Sequence, residues 1–130
     1  MNSATTRQRL GQLGEKLARE FLKKRGYRIR ETGFRCRHGE IDIVAQRKNC
    51  LVFVEVRARC SPDFGTPEES LTHAKKRRII ASALAYTAAY EDLPSQWRID
   101  VVALELDDRG KTTRIEHIEN AIEQDDPFRC

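Results

Sequence analysis

Two strand-like stretches joined by a short polar turn constrain this chain more than any other part of its sequence. Residues 40–45 and 51–58 are rich in Ile and Val, and the four residues 47–50 between them have the length of a hairpin turn. With the turn centred between Lys48 and Asn49, the numbers of paired residues sum to 97. One face of this hairpin is then wholly apolar: Ile41, Ile43, Ala45, Val52, Val54, Val56 and Ala58. A slip of one residue would expose that face, so burial fixes the register.

The same register places two acids opposite each other on the other face of the hairpin. Asp42 is expected to face Glu55, with Cβ atoms about 5 Å apart, where like charges destabilise a sheet. A Mg²⁺ or Mn²⁺ ion would remove the repulsion, because carboxylate and carbonyl oxygens are the ligands these ions prefer. Alternatively, basic side chains neutralise the pair, and the register also sets Glu40 opposite Arg57 as a plain ion pair.

The hairpin is predicted to belong to a larger α/β unit. Leucines and a phenylalanine at helical spacing predict a helix over 6–25, and Thr66, Pro67 and Glu69 predict the capped start of a second helix that runs to about Tyr90. Further strands are predicted over 27–31, 98–106 and 112–118, and a loop over 33–38. The order α-β-β-β-α-β-β indicates a single domain over 1–130, a mixed central sheet flanked by helices, with its core at about 6–120 and a frayed tail at 121–130.

Charge is distributed unevenly along the chain. Residues 1–60 hold 15 Lys or Arg against 6 Asp or Glu, whereas residues 91–130 hold 5 against 11. A basic half is typical of proteins that bind polyanions, although a solvated basic surface has the same composition. The candidate nucleic-acid-binding residues are Arg35, Arg37, Arg59, Lys75, Lys76 and Arg78, with Phe64 in the loop 61–65 as an aromatic for base stacking. No apolar run is long enough to span a membrane and the first ten residues are polar, so we expect a cytoplasmic protein with no membrane partner.

Two further acids are ambiguous from the sequence. Glu15 lies on a helix face with small and apolar residues, where it would join the acid pair, but it also has Arg19 four residues on as an ion-pair partner. Asp100 would either extend the acidic cluster or accept an internal hydrogen bond from Arg98 or Trp97.

Several short motifs, in this order and spacing, resemble the YraN-like family of small bacterial endonuclease-like proteins. The motifs are Gly14-Glu15 with Ala18, Gly39-Glu40-Ile41-Asp42, Phe53-Val54-Glu55-Val56-Arg57, Phe64-Gly65, Lys75 with Arg78-Ile79, and Arg98-Ile99-Asp100-Val101. The resemblance extends from Gly11 to about Asn120. It implies the α/β restriction-endonuclease-like fold of the PD-(D/E)xK class, and the family is also similar to archaeal Holliday-junction resolvases.

The resemblance also implies roles for individual residues. It makes Asp42, Glu55 and the Val56 carbonyl the ligands of Mg²⁺ or Mn²⁺, and Glu15 an accessory acid. Arg57 stands where the motif has Lys; because Arg stays protonated, it can stabilise developing negative charge but cannot activate water. Lys76 stands where the family often has Gln.

Three functions therefore remain open from the sequence. The first is a metal-dependent nuclease acting on DNA, branched or single-stranded, for which a two-fold homodimer would suit a branched substrate. The second is a nucleic-acid-binding module of the same fold with impaired catalysis, which Arg57 favours. The third is a protein that binds a partner protein through its acidic residues 105–126.

Overall fold

The protein is described by a computed structural model over residues 3–60 and 65–122, with side chains from residue 7 onward. Its main elements are helix α1 (Ser3–Lys24), strands β1 (Arg28–Cys36), β2 (Gly39–Arg47) and β3 (Cys50–Arg59), helix α2 (His73–Ala89), and strands β4 (Gln96–Leu106) and β5 (Thr112–Ile118). A one-turn 3-10 helix, Glu68–Ser70, lies between β3 and α2. The mixed α/β class expected from the sequence is confirmed. Phe64 and the tail beyond residue 122 lie outside the described residues.

The five strands form one sheet in the order β1-β2-β3-β4-β5, and only the β3–β4 pair is parallel. The β2–β3 ladder runs from Ile43 opposite Val54 to Arg47 opposite Cys50, so every pair in it has numbers that sum to 97. The predicted register is confirmed. Lys48 takes the positive φ of 54° that closes this tight turn.

Each helix covers one face of the sheet. Between α1 and the sheet lies a cluster formed by residues of both, including Ala18, Leu22, Ile43, Ala45, Val52, Val54, Val102 and Leu104. Between α2 and the opposite face of the sheet lies a second cluster, including Ile41, Val44, Leu51, Phe53, Ile79, Tyr86, Trp97 and Ile99. The predicted apolar face of the hairpin therefore packs under α1 with one correction, because Ile41 belongs to the cluster on the α2 side.

Helix α1 approaches β3 closely at a glycine. A Cβ atom added to Gly14 would lie 2.9 Å from the Cβ of Ala58 and 3.7 Å from Cγ1 of Val56. Contacts that short do not occur between real side chains, so the absence of a side chain at Gly14 sets the distance between helix and strand.

Two predicted element boundaries are wrong. Helix α2 begins after Thr72, whose side chain accepts a hydrogen bond from the Lys75 backbone N–H, and not after Thr66. The Pro67 region forms the separate 3-10 turn, which ends at an extended Leu71. The expected loop over 33–38 is mostly strand, because β1 continues to Cys36.

The segment after β5 returns to the sheet. The Ala121 backbone N–H donates to the carbonyl of Ile99, and Ile122 is 4% exposed within the α2-side cluster. The part of the predicted tail that the structure describes is therefore packed. No helix within residues 3–60 and 65–122 combines the length and apolar character needed to cross a membrane.

Candidate metal and nucleic-acid site

The ladder between β2 and β3 opens at Asp42. The last paired residues are Ile43 and Val54, and continuing the register would pair Ile41 with Val56. Instead, the Val56 backbone N–H donates to Asp42 Oδ2 at 2.8 Å. The N–H and C=O of one strand residue point to the same side, so the Val56 carbonyl faces the gap that holds the Asp42 carboxylate. A side-chain oxygen thus replaces the expected backbone acceptor where the two strands separate.

Asp42 and Glu55 meet at this opening, close enough for the charge of Asp42 to act on Glu55. Burial, followed by the charge of Asp42, raises the pKa of Glu55 to about 8. Burial also raises the pKa of Asp42, to about 6, with the charges of Glu15 and Glu40 adding to the effect and the Val56 N–H opposing it. Near neutral pH the pair therefore holds one proton between its two carboxyl groups.

Glu15 acts on this pair from helix α1 while keeping a partner of its own. Its carboxylate accepts a hydrogen bond from Arg19 Nη1 at 3.2 Å, which is the i,i+4 ion pair anticipated from the spacing. Its charge nevertheless raises the pKa of Asp42. The close approach of α1 to β3 at Gly14, the residue before Glu15, brings this third acid towards the opening.

Arg57 joins the acid pair to the segment that follows β3. Its Nη1 lies 3.6 Å from Glu55 Oε1, and its Nε and Nη2 donate to Ser70 Oγ at 2.9 and 2.6 Å. The Ser70 hydroxyl in turn donates to the Pro67 carbonyl. The predicted ion pair between Glu40 and Arg57 does not form, because Glu40 pairs across β1 and β2 with Arg35, at 3.8 Å.

A second arginine, on the edge strand β5, contacts the same segment. Arg114 of β5 donates from Nη1 and Nη2 to the two carboxylate oxygens of Glu68, at 3.1 and 2.8 Å, and also contacts Glu105 and Glu116. These hydrogen bonds lower the pKa of Glu68. Sequence reasoning missed Ser70, Glu68 and Arg114, because the partners are 13 and 46 residues apart and no local pattern links them.

Next to the acid pair lies a cavity of about 1020 Å³. Its lining residues are Arg7, Leu10 and Gly11 of α1, Val56, Arg57, Ala58, Arg59 and Cys60 at the end of β3, and Ser70 and Lys75. We call this feature the α1–β3 cavity. The predicted nucleic-acid-binding residues Arg59 and Lys75 line it.

The other predicted nucleic-acid-binding residues are not among those that line the α1–β3 cavity. Arg35 lies on β1 in its ion pair with Glu40, and Arg37 Nε donates to His38 Nε2 at 3.4 Å in the β1–β2 turn. Lys76 and Arg78 follow Lys75 on α2, where consecutive residues point in different directions around the helix. Of the six predicted residues, Arg59 and Lys75 are therefore the two that line the α1–β3 cavity.

Comparison with known proteins identifies the family of this chain. Residues 14–104 match the family described as "Uncharacterised protein family UPF0102". The chain belongs to UPF0102, the YraN-like family. A UPF0102 protein of Roseiflexus castenholzii is 50% identical over 120 residues, covering 91% of this chain and 96% of the relative. A UPF0102 protein of Pelotomaculum thermopropionicum is 42% identical over 118 residues, covering 91% and 98%.

The range matched to UPF0102 includes the acid pair and the residues named above as its nearest neighbours. Glu15, Asp42, Glu55, Val56 and Arg57 all lie within residues 14–104. Beyond this range, Arg114 supplies the contact that holds Glu68. The candidate site of this UPF0102 protein is therefore built mainly, but not wholly, from the matched region.

Asp100 belongs to a buried network of this UPF0102 protein and not to the acid pair. Its carboxylate accepts hydrogen bonds from Arg98 Nε at 2.9 Å and from the Asn120 backbone N–H at 2.9 Å, and His117 Nε2 lies 2.7 Å from Oδ2. Arg98 also donates to the Tyr27 hydroxyl at 2.8 Å. These hydrogen bonds lower the pKa of Asp100 against the opposing effect of burial. The internal hydrogen bond to Arg98, one of the two alternatives drawn from the sequence, is the one observed.

The donor set at the opening fits a hard divalent cation. Asp42, Glu55 and the Val56 carbonyl offer only oxygen atoms, the ligands that Mg²⁺ and Mn²⁺ take, usually with several waters. Within the described part of this UPF0102 chain, no group of three or more His, Cys, Asp or Glu side chains is arranged to hold a metal. The carboxylates that could hold such an ion at this opening are therefore Asp42 and Glu55.

Proposed function

We propose that this protein is a metal-dependent nuclease or nuclease-like protein that acts on DNA phosphodiesters in the cytoplasm, with a restriction-endonuclease-like fold. The observation that carries the proposal is the partly buried Asp42–Glu55 pair at the opened β2–β3 ladder, directly beside a cavity lined by arginine and lysine. Buried like charges destabilise a fold unless a cation or a proton compensates them, so their position favours a functional site.

Asp42, Glu55 and the Val56 carbonyl would hold Mg²⁺ or Mn²⁺. When bound, such an ion polarises a phosphate and lowers the pKa of a coordinated water. Arg59 and Lys75 would bind phosphates of the same strand. Because Arg57 keeps its charge, its part is to position Glu55 and to stabilise negative charge that develops on the phosphate.

The contacts of Arg57 favour a second candidate, a nucleic-acid-binding module of the same fold with impaired catalysis. Two of its donor groups are engaged by Ser70 and a third faces Glu55, so this side chain is committed to holding its surroundings. Because arginine stays protonated it cannot serve as a base, and these contacts also restrict its reach towards a bound phosphate. The two candidates share the phosphate-binding residues and differ only in turnover.

Incubation with duplex, single-stranded and four-way-junction DNA in Mg²⁺ or Mn²⁺ separates the two candidates. The nuclease proposal predicts cleavage that is lost in Asp42→Asn and retained in Asp108→Asn, a matched change at an exposed turn residue. Cleavage that survives Asp42→Asn would come from a contaminant and refute the nuclease. Binding that weakens with salt, without cleavage in either metal, would support the second candidate. Sedimentation of the junction complex tests the predicted homodimer.

A further inference from the structure

The charged residues that line the α1–β3 cavity, among those described, are all of one sign. Four of its lining residues are cationic, namely Arg7, Arg57, Arg59 and Lys75, and none of the described residues that line it is acidic. Its remaining surface is formed by small or apolar residues, including Leu10 and Ala58. Such a lining suits a ligand that carries several negative charges alongside flat apolar surface.

Among the described residues, no packing contact explains Gly11 in the wall of this cavity. A Cβ atom added to it would have nothing within 4 Å, and its backbone is that of an ordinary helical residue, whereas Gly14 one turn later is required by the contact with Ala58. Gly within a helix is less favourable than Ala, so a glycine without a packing requirement weakens α1. Close approach of a ligand to the backbone is a physical reason to keep the site free of a side chain.

We propose that the α1–β3 cavity binds a short stretch of a single DNA strand, with Arg7 and Lys75 on its phosphates and the strand passing closely over Gly11. The nature of the ligand rests on the function proposed above, while the site and its new residues, Arg7 and Gly11, rest on the cavity itself. The proposal specifies the substrate class as an unpaired strand, such as a single-stranded end or arm.

The size of the cavity favours one strand over two. A volume of about 1020 Å³ is at the upper end of pockets that hold small molecules, which span roughly 300–1,000 Å³. A few nucleotides of one strand fit a space of that size, whereas one turn of a duplex is roughly 34 Å long and stays outside. Unpaired bases also present the faces that pack against apolar side chains such as Leu10.

Binding of a fluorescent twelve-nucleotide oligo-dT, measured by anisotropy in EDTA so that no cleavage occurs, tests the proposal with matched pairs of variants. Arg7→Ala is compared with Arg9→Ala, and Lys75→Ala with Arg77→Ala; Arg9 and Arg77 are exposed on the same helices but do not line the cavity. Each cavity variant should lower the slope of log affinity against log salt by about 0.7, the value for one phosphate contact on a single strand. Equal slopes within both pairs would overturn the proposal, as would a wild-type protein that binds the duplex of the same length as tightly.

Gly11→Ala provides a test that loss of folding cannot imitate. The added methyl group should raise the melting temperature by roughly 3 °C, because Ala favours the helix. The same methyl group should weaken oligo-dT binding by at least about fivefold, as expected for overpacking a close contact. Gln12→Ala, at an exposed neighbour outside the cavity, should leave binding unchanged. Unaltered binding by Gly11→Ala refutes the close approach.

The outcomes separate this inference from the function on which it draws. Differences within the matched pairs, without cleavage in metal, support the strand site and reject the nuclease. Cleavage that depends on Asp42, together with equal binding by Arg7→Ala and Arg9→Ala, supports the nuclease and rejects the strand site.

Discussion

Replacing Glu55 by Gln tests whether the acid pair is maintained at a cost to the stability of the fold. Burial, followed by the charge of Asp42, raises the pKa of Glu55 from 4.5 to about 8. Between these two pKa values the folded protein keeps a proton on Glu55 that the unfolded chain releases. The contribution of this proton to the free energy of unfolding is fully present below about pH 4.5 and is lost as pH rises through 8. At ~1.4 kcal/mol for each tenfold change in proton affinity, the loss is at most ~5 kcal/mol. The pKa of Asp42 is raised by burial and by the charges of Glu15 and Glu40, which this substitution leaves in place, so it is not added to this figure.

Glutamine removes this dependence because it is neutral at every pH and its amide can donate to the Asp42 carboxylate. It gives up the contact with Arg57 at 3.6 Å, which reduces the net gain. We expect Glu55→Gln to be more stable than the wild type by ~2–4 kcal/mol at pH 8.5 and within ~1 kcal/mol of it at pH 5. Urea unfolding followed by circular dichroism in EDTA at both pH values measures the difference.

The matched control is Glu91→Gln, which neutralises an exposed acid and should leave the pH dependence unchanged. A Glu55→Gln protein less stable than the wild type at pH 8.5, or one with an equally steep loss of stability between pH 5 and 8.5, would refute the reasoning. Mg²⁺ or Mn²⁺ should stabilise the wild type at pH 8.5 by ~2.7 kcal/mol at one hundred times its dissociation constant, and Glu55→Gln by much less. Equal stabilisation of both proteins would place the ion elsewhere.

Two further changes test the rest of the structure by urea unfolding at pH 7. Asp100→Ala leaves Arg98 and His117 without their buried partner and should cost ~3–5 kcal/mol, so a loss below ~1 kcal/mol would contradict the network described above. Thr72→Ala removes the cap of α2 and should cost ~1 kcal/mol, whereas Thr66→Ala should cost clearly less; the reverse order would restore Thr66 as the cap.

The β2–β3 register could be predicted from sequence because burial leaves one solution. Shifting the hairpin by a single residue would have exposed Ile43 and Val54, and the structure keeps them paired beneath α1. The same constraint predicted that Asp42 and Glu55 meet. It could not predict how they meet, because the exchange of a backbone acceptor for the Asp42 side chain is visible only where the ladder ends.

Short sequence motifs could not predict the outcome where two of them compete and tertiary packing selects one. Thr66 and Thr72 can each cap a helix, and the outcome depends on Leu71, whose extended backbone carries its side chain into the α2-side cluster and separates the 3-10 turn from α2. The partner of Arg57 was mistaken for a similar reason, since Ser70 reaches it only once that turn is in place. Contacts made after the sheet has assembled leave no periodic trace in the sequence.

The arginine of β5 that holds Glu68 sets an order of events during synthesis. The ribosome releases the chain from its N-terminus, so the acids of β2 and β3 emerge well before Arg114, the residue that ties the 3-10 turn to the sheet. A nascent chain can therefore form the hairpin with both carboxylates before Arg114 is available to contact the 3-10 turn that contains Ser70. The site becomes complete only when the fifth strand has joined the sheet, after both of its carboxylates have already been synthesised.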